Sequence, residues 1–297
     1  MRVTNSHVKW GTPWPKVLLL LLLVPTSVPA QDNPRDLVLK MVQNELASQK
    51  EPRYWMYLDS KEKPGRTEVD RIIQTPDCWV SWPVSVNGNR PTEKETSTAR
   101  DHLESLVNDP HFRRKNRGEI DADSRKSAEM LKMLPDAFLF TGDGRQGNSV
   151  RLKFRPNPKY RPPNNEAKVF HHMEGILLID AKQIRLAKLS GTLVSDVEFG
   201  FGILGKLQKG GTFEVVQSEV APNDWEVSLL DVQISGRALF FHTIGEQQHE
   251  VKSQFEPVRS DLGVAEAAAR VRQEFQPDPR KITRFAISPL KRGSVAQ

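Results

Sequence analysis

A single cysteine, Cys78, stands among 297 residues, so no disulfide can form within the chain and no disulfide framework defines its fold. A chain of this length can bury a large core without one. No Asn-x-Ser/Thr acceptor occurs, nor any His-Glu-x-x-His or Gly-x-Ser-x-Gly signature. No charge of one sign prevails: 43 lysines and arginines face 37 acids, alternating along most segments, and this leaves no basic footprint for nucleic acid. The longest apolar run, Val17–Val24, has eight residues before Pro25, short of the roughly 20 that a membrane-spanning helix needs.

That run does mark a destination. Arg2, Lys9 and Lys16 precede it without an acid, and Val28-Pro29-Ala30 follows at the spacing of a cleavage site. The pattern predicts a secretory signal peptide over 1–30, cut after Ala30. No cysteine stands there to carry a lipid anchor. Without the three basic residues the net charge falls from +6 to +3, so the exported chain is less basic than the whole. Export predicts a periplasmic or secreted protein that is not integral to a membrane after cleavage.

Beyond residue 31 the chain reads as strands with a few helices. Leu37, Val38, Met41, Val42 and Leu46 recur at helical spacing, predicting a helix over 33–49 with Asn33 as cap and Pro34 in its first turn. Arg53–Ser60 reads as a strand, with Trp55 and Tyr57 on one face and Tyr54, Met56 and Leu58 on the other. Turns at Pro64-Gly65 and Asn87-Gly88 bound the next two strands. A helical insert is predicted over 92–134. It holds a helix with Ala99, Leu103, Leu106 and Val107 on one face, a charged surface or mobile stretch at 112–127, and a short helix ending before Pro135. Strands resume at 136–141 and 148–155, and four prolines then keep 155–165 extended.

Residues 168–257 are the centre of the reading. Strand-like segments such as KVFHHMEGILLID, IRLAKLSGTLVSDVEFG and WEVSLLDVQI alternate with glycines, seven of the chain's 18 lying between Gly175 and Gly211. Short spacing between turns points to an antiparallel sheet rather than βαβ units. A helix is expected over 260–275, and 276–297 reads as a polar tail. Residues 31–275 are thus one domain.

The chemical motifs are weak. Gly200, Gly202 and Gly205 fit a dinucleotide fingerprint, but a glycine pair and β-branched residues follow where a helix is required, so the glycines read as bends and no cofactor is expected. With 168–180 taken as one strand, His172 and Glu174 share a face. Asp180, Asp196 and His242 are other possible ligands that nothing gathers, so no metal is expected. Glu198 has no partner carboxylate, and Cys78 beside Trp79 reads as a buried small residue. Aromatic residues on strands are core, or else the wall of an apolar concavity. On the second reading Trp55, Tyr57, Phe138, Phe140, Phe154, Leu177, Phe199 and Trp225 would line it. Leu37 and Met41 of the first helix, with Leu103 and Leu106 of the insert, would form its lid.

The run from Phe154 to Pro158, then Met173, Gly175, Leu177, Ile179 and Asp180, then Ile184–Gly191, resembles the sheet core of the LolA/LolB-type lipoprotein-carrier superfamily and of exported bacterial proteins built on that plan. The resemblance implies an α+β fold: a curved antiparallel sheet, an unclosed half-barrel, with helices covering its concave face. It also implies non-covalent binding of a lipid or lipoprotein acyl chain in that concavity, without enzymatic activity. The alternative is a module for an envelope protein partner, its cavity filled by its own helices. A metal-assisted hydrolase using His172, Glu174 or Asp180 is the third class.

Overall fold

The computed structural model describes residues 33–51, 53–199, 205–238 and 247–275. The expected signal segment 1–30, Gly200, Gly202, His242 and the tail 276–297 lie outside the described residues.

Helix α1 (Pro34–Ser48) starts where the sequence places it: the Asn33 side chain accepts the Arg35 amide at 3.1 Å, and Pro34 takes the first helical position, which needs no donor. Strands β1 (Tyr54–Lys63), β2 (Arg66–Gln74) and β3 (Trp79–Val86) follow as a meander. Gly65 supplies the positive φ of +78° that the first turn requires. At the second, Asn87 and Gly88 are both left-handed, and the Asn87 side chain accepts the Thr67 amide at 2.7 Å.

The helical insert is more regular than expected. A reciprocal Thr92–Glu95 box caps α2 (Glu93–Asn108). Asp109 then caps α3 (Pro110–Ala137), accepting the amides of His111 and Phe112. The charged stretch 112–127 is neither loop nor short helix but part of this single 28-residue helix, its polar side chains turned mainly to solvent. An Arg117–Asp121 pair at 2.9 Å shows how charges four apart support it. Pro135 does not stop α3. It lies in the last turn, where Leu134 and Ala137 are buried, and its carbonyl accepts the Arg35 side chain at 3.1 Å.

Two further strands, β4 (Phe138–Gln146) and β5 (Ser149–Pro156), precede a segment that is not the strand its sequence predicts. Glu166–His172 is a 3-10 helix, so strand β6 (Met173–Asp180) begins five residues later than predicted. Ala167 and Phe170, three apart, are both buried, and the Asn164 side chain accepts the Ala167 amide at 2.8 Å. Then come β7 (Leu186–Leu193), β8 (Val197–Phe199), β9 (Gly205–Leu207), β10 (Thr212–Ala221), β11 (Asp224–Gln233), β12 (Gly236–Ala238), β13 (Gln247–Val258) and α4 (Val264–Phe275).

The protein is α+β, built on one ten-stranded antiparallel sheet that does not close into a barrel. Its strand order is β3-β2-β1-β13-β11-β10-β7-β6-β5-β4, and β8, β9 and β12 form a small second sheet. Strand β13 joins the two meanders, pairing Lys61 with Glu250 and Glu250 with Leu230. The register continues through Val215 and Leu189 to Leu177, so Leu177 and Lys61 share a face. Helix α1, the end of α3 and the 3-10 helix pack on this face at the β4–β7 end. Helices α2 and α4 pack on the opposite face at the β1–β3 end, against Met56, Ile73, Val80 and Trp82. The helices expected to share one concave face therefore sit on opposite faces, because β1 alternates apolar residues on both sides.

Candidate functional site

The residues expected to line a cavity instead fill space. Phe138, Phe154, Leu177 and Phe199 are all within 3 % of full burial, with Phe140 packed against them. The Phe138 ring stands 4.7 Å from Phe154 and 5.3 Å from Phe170, an edge-to-face arrangement of the kind favoured in cores. Met41 is wholly buried in this cluster and Leu37 packs on it. Trp55 and Tyr57 belong to a separate cluster with Phe255, whose ring stacks on Tyr57 at 5.2 Å. Trp225 is half-buried and donates its indole N–H to Gln183 at 2.9 Å. Leu103 and Leu106 are wholly buried in the cluster beneath α2 and α4, across the sheet from Met41. The four lid residues do not cover one space.

Nor do the metal and acid candidates come together. His172 is in the 3-10 helix, not on a strand face with Glu174, and its Nδ1 lies 2.7 Å from Ser195 Oγ. Partial burial and the neighbouring His171 lower the His172 pKa. Asp180 is buried and builds a turn, accepting the Lys182 and Gln183 amides and the Asn148 side chain. Asp196 and Glu198 both meet Lys206, at 2.8 and 3.4 Å. Cys78 is fully buried, and burial pushes its thiol up to about 11, unsuited to a nucleophile. Among the described residues no three His, Cys, Asp or Glu side chains gather as a metal site would require. No described helix is long and apolar enough to cross a membrane.

Two charged constellations went unseen in the sequence. Glu45 of α1 and Arg185 before β7 form a buried bidentate pair, at 2.7 and 3.0 Å, and Glu45 also accepts the Leu186 amide at 2.8 Å. This pair docks α1 on the sheet. The second lies on the same face, on β1 and β13: Lys61 meets Asp59 at 2.9 Å and Lys252 meets Glu250 at 3.1 Å. Burial raises the Asp59 carboxyl above its usual range despite Lys61, and burial likewise raises Tyr57 and Glu226. The Lys252 and Lys61 ammoniums hold Glu250 below its usual range, against the effect of burial. One oxygen of Asp59 is buried without a hydrogen bond. Such groups give no hydrophobic periodicity to read.

On the other face, beyond α2 and α4, a groove of about 750 Å³ crosses β5, β6, β7, β10 and β11. Its side chains follow from the register: Lys153 stands opposite Ile176, Ile176 opposite Ser190, Ser190 opposite Glu214 and Glu214 opposite Asp231. A second row contains Arg155, Glu174, Thr192 and Thr212. The floor is low where Gly175 and Gly191 pair. A Cβ on Gly175 would come within 2.0 Å of the Ser190 carbonyl oxygen, and one on Gly191 within 2.7 Å of the Phe213 ring. The glycines thus allow close strand contact and let Phe213 lie under the floor. Charge is graded across the groove: basic on β5 at Lys153 and Arg155, acidic on β10 and β11 at Glu214 and Asp231. Lys153 meets Asp143 at 2.8 Å, Glu214 meets Lys188 at 2.7 Å, and Asp231 accepts Gln233 at 2.8 Å. Arg155 and Glu174 have no polar side-chain partner among the described residues.

No protein-family model matches the chain, and no curated protein sequence matches it.

Proposed function

We propose that this chain is an exported, non-enzymatic binding protein whose interior is filled by its own helices and which takes its partner in the groove on the open part of its sheet. The carrying observation is the contrast between the two faces: Phe138, Phe154 and Phe199, which could have walled an acyl cavity, pack in one core with α1, while the groove presents charge and hydroxyl groups beside Ile176. Its size falls within the range of small-ligand sites. Export rests on the basic, apolar and small-residue order of residues 1–30. The half-barrel carrier reading has less support, because an acyl chain would have to displace side chains from a packed core.

Native mass spectrometry of the exported chain separates the two. The expected mass starts at Gln31 and carries no lipid, and a fluorescent fatty acid added afterwards stays unbound. Co-purified lipid, or saturable probe binding that Leu177→Trp abolishes, would restore the acyl-carrier reading and refute this one.

A further inference from the structure

From the charge gradient and the strand spacing we infer that the groove is a site for a short peptide with free termini, the carboxylate on Arg155 and the ammonium on Asp231, since Lys153 and Glu214 are already paired with Asp143 and Lys188. The inference rests on the groove being the binding site. From β5 to β11 there are four strand spacings of about 4.8 Å each, or roughly 19 Å. An extended chain covers about 3.4 Å per residue, so roughly five residues reach across. Arg155 has no polar side-chain partner among the described residues, and its planar fork fits a carboxylate in two hydrogen bonds. At the other end Asp231 is held by a neutral amide, Gln233, with the His249 ring 3.6 Å away, so its charge is available to an ammonium. Between the ends Ser190, Thr192 and Thr212 offer hydroxyls that both donate and accept, as a peptide backbone needs. Glu174, likewise without a polar side-chain partner among the described residues, can accept a backbone N–H. A zwitterionic lipid headgroup has the same two charges a few ångströms apart, and would reach Arg155 and Glu174 but not Asp231.

The test is an amide NMR titration of the mature chain with penta-alanine, with its N-acetylated, C-amidated and doubly blocked forms, and with glycerophosphoethanolamine. The proposal expects millimolar penta-alanine to shift groove amides on β5, β7 and β11, with each blocked end weakening binding roughly threefold, as exposed ion pairs do. Arg155→Gln should abolish the sensitivity to amidation and leave that to acetylation; Asp231→Asn should do the reverse. Both positions are partly or fully exposed, and unchanged spectra away from the groove will report intact folding. If the doubly blocked peptide binds as well as the free one, the terminal recognition is wrong while the groove remains a peptide site. Tighter binding of the headgroup, with shifts confined to β5 and β6, would also overturn it. If no ligand shifts a groove residue, the inference and the proposed site fail together.

Discussion

Removing the Glu45 carboxylate should uncouple α1 from the sheet. Glu45 is 4 % exposed and Arg185 7 %, so Glu45→Ala leaves a guanidinium in a nearly dry environment and deprives the Leu186 amide of its acceptor. Breaking one side of a buried pair costs about 3–5 kcal/mol, a large part of the roughly 5–15 kcal/mol by which a domain is stable. The pair itself should be worth much less than this, because burying two charges offsets most of their attraction. Glu45→Met with Arg185→Met should therefore recover most of the loss. Urea denaturation gives the magnitudes, and hydrogen exchange locates them: amides of α1 and β7 should lose protection first, those of β1–β3 last. A loss under about 1 kcal/mol for Glu45→Ala, the value of an exposed pair, would refute the reasoning. So would a double variant as unstable as the single one.

Asp59→Asn should stabilise the protein more at pH 7.5 than at pH 4. A carboxyl whose folded pKa is raised binds its proton more tightly when folded, so its destabilising effect is absent below its unfolded pKa of about 4 and grows as pH rises toward the folded value. Melting temperatures of both forms at the two pH values check this, and an equal difference at both would contradict it. Leu103→Asp should release α2 and α4 while β4–β7 keep their exchange protection, since Leu103 is buried only in the core beneath those two helices. Simultaneous loss across the whole sheet would show that the two faces unfold as one. Gly175→Ala should cost about 1–3 kcal/mol, as overpacking does, because its Cβ meets backbone that cannot swing aside. A melting temperature within a degree of the parent would mean that β6 and β7 separate without strain.

Local chemistry was legible wherever one side chain acts on its own neighbourhood. Asn33 and Pro34 start α1 as predicted, and Asn87-Gly88 makes its turn, because these effects span two or three residues. The alternation of Trp55 and Tyr57 against Met56 was also legible, and the structure buries both sets on opposite sides of β1. Strand β13 shows no apolar alternation in the sequence because its inward positions carry Glu250 and Lys252. A strand whose buried face is charged has no period-two apolar signal, and those charges are tolerable only because Lys61 and Asp59 arrive beside them. The long α3 was hidden for a related reason: its caps are local, but its sparse apolar residues lie at the far end, where α1 covers them.

By itself the amino-acid order determined the caps, the turns, the α+β class and the antiparallel character of the sheet, all consequences of short-range geometry. Tertiary structure alone decided which face of the sheet each helix covers, which aromatic residues are packed rather than cavity-lining, and which charges stand together. Those outcomes depend on the register between strands up to 204 residues apart, as where Tyr54 of β1 pairs with Val258 of β13. Hydrophobicity specifies that a side chain is buried but not against what, so the groove arises only when five strands bring Arg155, Glu174, Ser190, Glu214 and Asp231 onto one surface.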